Sequence, residues 1–132
     1  MAITSVTSTI AGQLSTRRDV LTYTTGLSAT QAVDATSTKL DQILIDNTAG
    51  TAAVYLRLWD HASPTVGTTI PVFILTAGAG ESVEYSFIPA PVMDTALVAQ
   101  VSQSKGYAAS PTAVTWTVTV TFLTHDRWLA GE

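Results

Sequence analysis

The segment Ala113–Thr124 reads AVTWTVTVTFLT and alternates between apolar or aromatic side chains and threonine. A period of two places successive side chains on opposite faces of a β-strand. Most of these residues are β-branched or aromatic and suit a pleated surface. The segment therefore predicts a strand with one face on a core and the other toward water or a partner. The core face would carry Val114, Trp116, Val118, Val120 and Phe122.

Shorter segments repeat this alternation along the chain. They are Ala52–Trp59, Glu81–Phe87 and a stretch over residues 92–104 in which Leu97, Ala99 and Val101 share a face. Two further segments, Lys39–Asn47 and Pro71–Thr76, are apolar at both parities, as expected for strands in the middle of a sandwich. Val20–Thr25 and a weak segment near Ala32 predict two edge strands.

The separators between these segments contain turn residues. Asn47–Gly50 predicts a tight hairpin loop with glycine at a position of positive φ. Ala77–Gly80 separates the next pair of strands, and Ser63–Thr69 forms a longer loop. No stretch shows a helical period with caps. The sequence therefore predicts an all-β fold, an antiparallel β-sandwich or jelly roll of about seven or eight strands.

The two ends of the chain differ from the middle. Residues 1–18 are rich in Ser and Thr and end in the basic pair Arg17 and Arg18, which predicts an extended or flexible N-terminal arm. The sandwich domain is expected over residues 19–124. Residues 125–132 form a C-terminal tail whose Trp128 and Leu129 are unusually apolar for a short tail.

Composition narrows the classes of function. The 132 residues include no cysteine, which excludes disulfides and thiolate metal sites. Charged residues make up 12%, about half the usual share, so part of the surface is expected to be covered by other chains. The net charge is −4 and the six basic residues are scattered, which disfavours nucleic acid as a partner. No apolar run approaches the length of a membrane span, and no secretion signal is visible, so synthesis in a cytoplasm is expected.

Few residues could support catalysis. His61 and His125 each adjoin an aspartate, and convergence of the two pairs could hold a metal ion, although loop histidines more commonly cap backbone groups. No nucleophile elbow or phosphate-binding loop is present. The sequence thus predicts a protein that is not an enzyme and has no cofactor. A carbohydrate-binding module that uses Tyr55, Trp59 and Tyr107 is an alternative.

Four motifs follow one another in the middle of the chain. They are Tyr55–Asp60, Ser63–Thr68, Pro71-Val72 and Gly78–Glu81, with Ile45–Thr48 as the lead-in. This series resembles a segment that recurs in small virion proteins of tailed bacteriophages, in which a strand of the type Y-L-K-L-Y-D is followed by A-P-T-V-G-T, a Pro-Val pair, an apolar strand and a glycine turn. The resemblance covers about a third of the chain, and Pro64–Thr68 is its most specific part.

The resemblance implies a β-sandwich protein assembled on a phage particle. A head-decoration (cement) protein on the outer capsid surface is the favoured role, and a neck, tail or fibre component is the alternative. A decoration protein would bind the major capsid protein and associate with itself, often as a trimer. Its expected contact residues are the arm through Arg17 and Arg18, the aromatic pair Tyr55 and Trp59, and, in the tail, Arg127, Trp128 and Leu129.

Overall fold

The computed structural model describes residues 2–9, 15–24, 29–106 and 110–126. These residues form ten strands and no helix. The strands are β1 (Ala2–Thr9), β2 (Ser15–Tyr23), β3 (Gln31–Asp34), β4 (Thr38–Asp46), β5 (Val54–Asp60), β6 (Phe73–Ala77), β7 (Ser82–Ser86), β8 (Val92–Met93), β9 (Leu97–Ser102) and β10 (Val118–Asp126). In this part of the chain there is consequently no helix that is long and apolar enough to cross a membrane.

The strands form two antiparallel sheets that pack face to face. The first sheet has the order β1-β2-β10-β4-β7, and β8 pairs with β4 beyond the end of β7. The second sheet has the order β3-β9-β5-β6. Buried side chains from both sheets form one apolar core. The prediction of an antiparallel β-sandwich is confirmed, and the jelly-roll connectivity stays a prediction.

Strand β10 carries the alternation that the sequence shows most clearly. Val118, Val120 and Phe122 are fully buried against the core, whereas the threonines between them are partly exposed. The strand begins at Val118 and not at Ala113, since its ladder with β2 starts at Val118 opposite Tyr23. Val114 is nevertheless buried, and Trp116 packs against the core. The predicted core face is therefore correct over a longer stretch than the strand itself.

Strand β4 owes its mixed pattern to a β-bulge. Its register with β10 passes from Gln42 opposite Leu123 to Leu40 opposite Thr124, so Asp41 is an extra residue. The bulge allows Leu40 and Ile43 both to face the core although they have opposite parity. The strand lies between β10 and β7 in the middle of its sheet, as the sequence predicts, but Leu44 on its outer face is exposed.

Strand β2 is an interior strand and not an edge strand. It pairs with β10 on one side and with β1 on the other, because β1 continues the sheet outward. The expected boundary between residues 18 and 19 falls within β2, and the boundary between residues 124 and 125 falls within β10. The backbone of the expected arm is thus paired with this chain over residues 2–9 and 15–18.

The predicted hairpin at Asn47–Gly50 was wrong, because β4 and β5 belong to different sheets. The loop instead crosses the sandwich at one end, as does the loop between β6 and β7. Asn47 is buried and joins the two crossings, since its Nδ2 donates to the carbonyls of Ala52 (3.0 Å) and Gly78 (2.9 Å). Its Oδ1 accepts a hydrogen bond of 2.7 Å from the indole of Trp116.

Gly50 is required by its close approach to the Asn47 side chain and not by its backbone conformation. Among the described glycines, positive φ occurs at Gly67, Gly80 and Gly106. A β-carbon at Gly50 would collide with the Asn47 carboxamide. The loop therefore closes tightly over the amide that joins the sheets.

The opposite end of the sandwich is held by a carboxylate. Asp60 at the end of β5 accepts hydrogen bonds from the backbone N–H groups of Asp94 (2.9 Å), Thr95 (2.8 Å) and Ala96 (3.3 Å). These three residues connect β8 in the first sheet to β9 in the second. One side chain thus fixes this crossing, because its carboxylate accepts hydrogen bonds from three successive backbone donors.

We expect Asn47→Ala to lower the free energy of unfolding by about 3 kcal/mol, because it leaves buried carbonyl and indole groups without partners. Urea denaturation followed by tryptophan fluorescence measures the change. Gln42→Ala is the control, since the Gln42 amide bonds at the surface to Glu84 and Ser86. The control is expected to change stability by no more than about 0.5 kcal/mol. Equal losses in the two variants would contradict the role assigned to Asn47.

Candidate interaction surfaces

The loop between β5 and β6 contains the most specific part of the phage resemblance, and it is closed by its own hydrogen bonds. The Thr65 carbonyl accepts bonds from the backbone N–H groups of Thr68 (3.0 Å) and Thr69 (2.8 Å). The Thr65 N–H donates in turn to the Thr69 hydroxyl at 2.9 Å. Gly67 has a φ of 86°, which favours glycine for the reversal between them. The motif is therefore a compact turn with a fixed shape.

Trp59 attaches this loop to the second sheet. The indole is fully buried, and its Nε1 donates a hydrogen bond of 2.8 Å to the Thr69 carbonyl. Just after the turn, the Val72 N–H donates to the Leu58 carbonyl at 2.8 Å, which brings the chain back alongside β5. Trp59 is thus a positioning residue for residues 69–72.

The segment that leaves this loop presents an apolar stripe, formed by Ile70, Val72 and Ile74. Their side chains are 70%, 49% and 41% exposed, whereas the intervening Phe73 packs against the core. The prediction that this segment is a strand in the middle of the sandwich was wrong, because β6 is an edge strand of the second sheet. Pro71 at the start of the segment carried the relevant signal, since proline is tolerated at edges and strand starts. The apolar stripe is a candidate interaction surface.

Strand β6 lies at the edge of its sheet, and beside the apolar stripe its outward backbone groups at Thr76 already have a hydrogen-bond partner. The Tyr85 hydroxyl, from β7 of the other sheet, donates to the Thr76 carbonyl at 2.6 Å and lies 3.3 Å from the Thr76 backbone nitrogen. These backbone groups are therefore occupied and cannot pair with an added strand. A partner of the apolar stripe would bind its side chains and not the strand edge.

The outer face of β5 carries a buried cation that the sequence did not single out. Arg57 is fully buried, and its guanidinium donates to the carbonyls of Gly106 (2.6 Å) and Ser104 (3.2 Å) and to Gln100 Oε1 (2.6 Å). Burial lowers the pKa of Arg57 below its ordinary value. Among the described residues no carboxylate forms an ion pair with it. Arg57 thus fixes the segment 104–106 over the sheet.

Arg17 lies on the inner face of β2 and connects the two sheets. Its guanidinium bonds to Asp19 (3.0 Å) and to the Val33 carbonyl (3.1 Å), and it lies 3.5 Å from Asp34. Burial raises the pKa of Asp19 against the opposing effect of the Arg17 charge. In this conformation Arg17 is engaged within the chain, whereas the neighbouring Arg18 is exposed.

The other predicted contact residues fall in different environments. Tyr55 is partly exposed on the outer face of β5. Trp59 lies on the same face, but its burial removes the exposed indole on which the carbohydrate-binding interpretation depended. Tyr107 and the tail residues Arg127, Trp128 and Leu129 lie outside the described residues. The predicted residues are therefore not gathered into one described surface.

Both histidines have structural partners. His61 Nδ1 accepts a 2.9 Å hydrogen bond from the Ser63 N–H, as a loop histidine that caps the backbone does. His125 Nδ1 lies 2.7 Å from an oxygen of Asp41, the extra residue of the bulge. Across the described residues no group of three or more His, Asp or Glu side chains is placed to hold a metal ion.

A scan of the chain against protein-family models found no match, and neither did a search among curated proteins.

We expect Trp59→Phe to lower the free energy of unfolding by about 2 kcal/mol, because the Thr69 carbonyl loses its buried donor. Hydrogen exchange of the Thr68 and Thr69 amides should accelerate, since the turn is released from the sheet. Tyr55→Phe, on the same face of the same strand, is the matched control and should leave both amides unchanged. If the two amides exchange at the wild-type rate in Trp59→Phe, the turn is held by other contacts.

Proposed function

We propose that this chain is a structural protein of a tailed-bacteriophage particle, most specifically a decoration (cement) protein that binds the outer surface of the capsid. The proposal starts from the resemblance of residues 54–84 to small virion proteins of such phages. The β-sandwich is the fold that this resemblance implies. The major capsid protein is the proposed partner.

The observation that carries the proposal is the apolar stripe formed by Ile70, Val72 and Ile74. Solvent exposure of three large aliphatic side chains at every second position is unfavourable unless a partner covers them. Along the chain, the stripe begins at Ile70, immediately after the Ser63–Thr68 turn that carries the resemblance. The most distinctive part of the sequence therefore positions the surface that most needs a partner.

The chemistry of this surface suits a mechanical role. An aliphatic stripe gains free energy by leaving water, at roughly 25 cal/mol per Å² buried, and requires no charged partner. Many identical copies on a capsid lattice would multiply a modest gain per copy. We therefore propose that the affinity for the capsid changes little when the salt concentration rises from about 0.1 M to about 1 M. Over this range the Debye length falls from about 10 Å to about 3 Å, so binding through ion pairs would weaken.

Quantitative mass spectrometry of purified particles tests the proposed location. We expect the number of copies of this chain to equal that of the major capsid protein or a simple fraction of it, because a decoration protein follows the capsid lattice. A few copies per particle would instead assign the chain to the neck, tail or fibre. Absence of the chain from particles would overturn the virion proposal.

Rebinding of purified protein to particles assembled without it tests the surface. We expect Ile70→Asp to weaken binding at least about tenfold, because a carboxylate would be buried against an apolar partner. Ile88→Asp is the matched control, since Ile88 is an equally aliphatic side chain, 96% exposed, in the loop between β7 and β8. Normal binding of Ile70→Asp together with loss in Ile88→Asp would move the contact to the other loop.

A further inference from the structure

A sandwich of two open sheets has four strand edges, and three of them are protected against pairing with another chain. Strand β3 has only four residues, and its register with β9 shifts between Ala32 and Asp34. Strand β6 is blocked at Thr76 by the Tyr85 hydroxyl. Strand β7 has five residues and carries the exposed Glu84 at its centre. Short length, irregular register and charge are devices that prevent edge-to-edge association.

The fourth edge, strand β1, has none of these devices. It is eight residues long, and its sequence AITSVTST contains no charge, proline or glycine. It pairs with β2 in one unbroken register from Ala2 opposite Thr22 to Thr9 opposite Ser15. No other described strand pairs with it, so its second row of backbone N–H and C=O groups faces away from this chain's sheet.

We propose that β1 pairs antiparallel with β1 of a second copy of this chain, so that the two first sheets become one continuous sheet. A two-fold interface must be self-complementary, because each surface meets its own copy. An uncharged strand meets this condition, since no like charges come to lie opposite one another. The inference gives a surface to the self-association that the phage resemblance implies, and at this edge it replaces the expected trimer by a two-fold pair.

The geometry of the pair restricts its register. Residues directly opposite each other in an antiparallel pair lie on the same face of the sheet. A two-fold axis perpendicular to the sheet must then pass beside a residue that lies opposite its own copy. In the two registers with the greatest overlap of Ala2–Thr9, that residue is Ser5 or Val6.

Disulfide trapping tests this arrangement in the isolated full chain, which contains no cysteine. We would prepare Thr4→Cys, Ser5→Cys, Val6→Cys and Thr7→Cys as single variants and oxidise each. One position should give a covalent dimer in high yield and its two neighbours much less. A cysteine placed one residue away from the axis no longer lies opposite its own copy. The two cysteines are then diagonal to each other, and their Cα atoms are farther apart than the roughly 7 Å that a disulfide can span. Ser82→Cys on the protected edge of β7 is the control and should give no covalent dimer.

Sedimentation equilibrium of the wild type and of Ser5→Lys provides the second measurement. We expect a dimer for the wild type and a monomer with an unchanged circular-dichroism spectrum for Ser5→Lys, because two ammonium groups would meet near the axis. A monomeric or trimeric wild type, or equal trapping at all tested positions including Ser82, would overturn the proposal. These measurements require no capsid, so the β1 pairing and the proposed capsid binding can fail independently.

Discussion

The carboxamide of Asn47 connects three segments: the crossing from β4 to β5, the crossing from β6 to β7, and the segment before β10. Its Nδ2 donates to the carbonyls of Ala52 and Gly78, and its Oδ1 accepts from the indole of Trp116, so each partner lies in a different segment. The two sheets are thereby held in one relative position at this end, and the core between them is closed. At the other end Asp60 and Arg17 make comparable connections with backbone and carboxylate partners. A chain without cysteine thus fixes its two layers by hydrogen-bonded polar side chains at both ends of an apolar core.

This arrangement separates the parts of the surface that are fixed from those that are available. The outer face of the second sheet is covered where Arg57 and Trp59 hold the segments 104–106 and 69–72 in place. The chain then emerges at the edge of that sheet, where the apolar stripe is presented on a backbone that is already ordered. Little conformational entropy would be lost when a partner covers such a surface, so more of the gain from burial would remain as affinity.

Features that depend on local alternation of apolar and polar residues could be predicted from the sequence. Features that depend on contacts with distant residues could not. The parity of β10 and of Leu97, Ala99 and Val101 in β9 follows from period two alone, and these residues do belong to the core between the sheets. The burial of the other face of β9 was not predicted. The exposed face of residues 70–74 was misread, because composition cannot distinguish an apolar edge strand from a central one. The burial of Trp59 depends on a loop carbonyl ten residues away, and the crossing at Asn47 depends on partners up to 69 residues away. Such contacts leave no periodic trace in the sequence.

The bulge in β4 has a consequence for how the chain can change in length. Without Asp41, the residues Thr38, Leu40, Ile43 and Ile45 would follow one another at strict period two, and all four are buried in the present fold. Deletion of this residue or of its neighbour Gln42 would therefore preserve the inward set, whereas deletion elsewhere between Thr38 and Ile45 would turn part of it outward. Deletion of Asp41 would remove its contact with His125 and the bond of its carbonyl to the Phe87 N–H. Relatives of this chain that differ by one residue in this strand should carry the gap at one of these two positions, and an alignment that places it elsewhere would misassign the core.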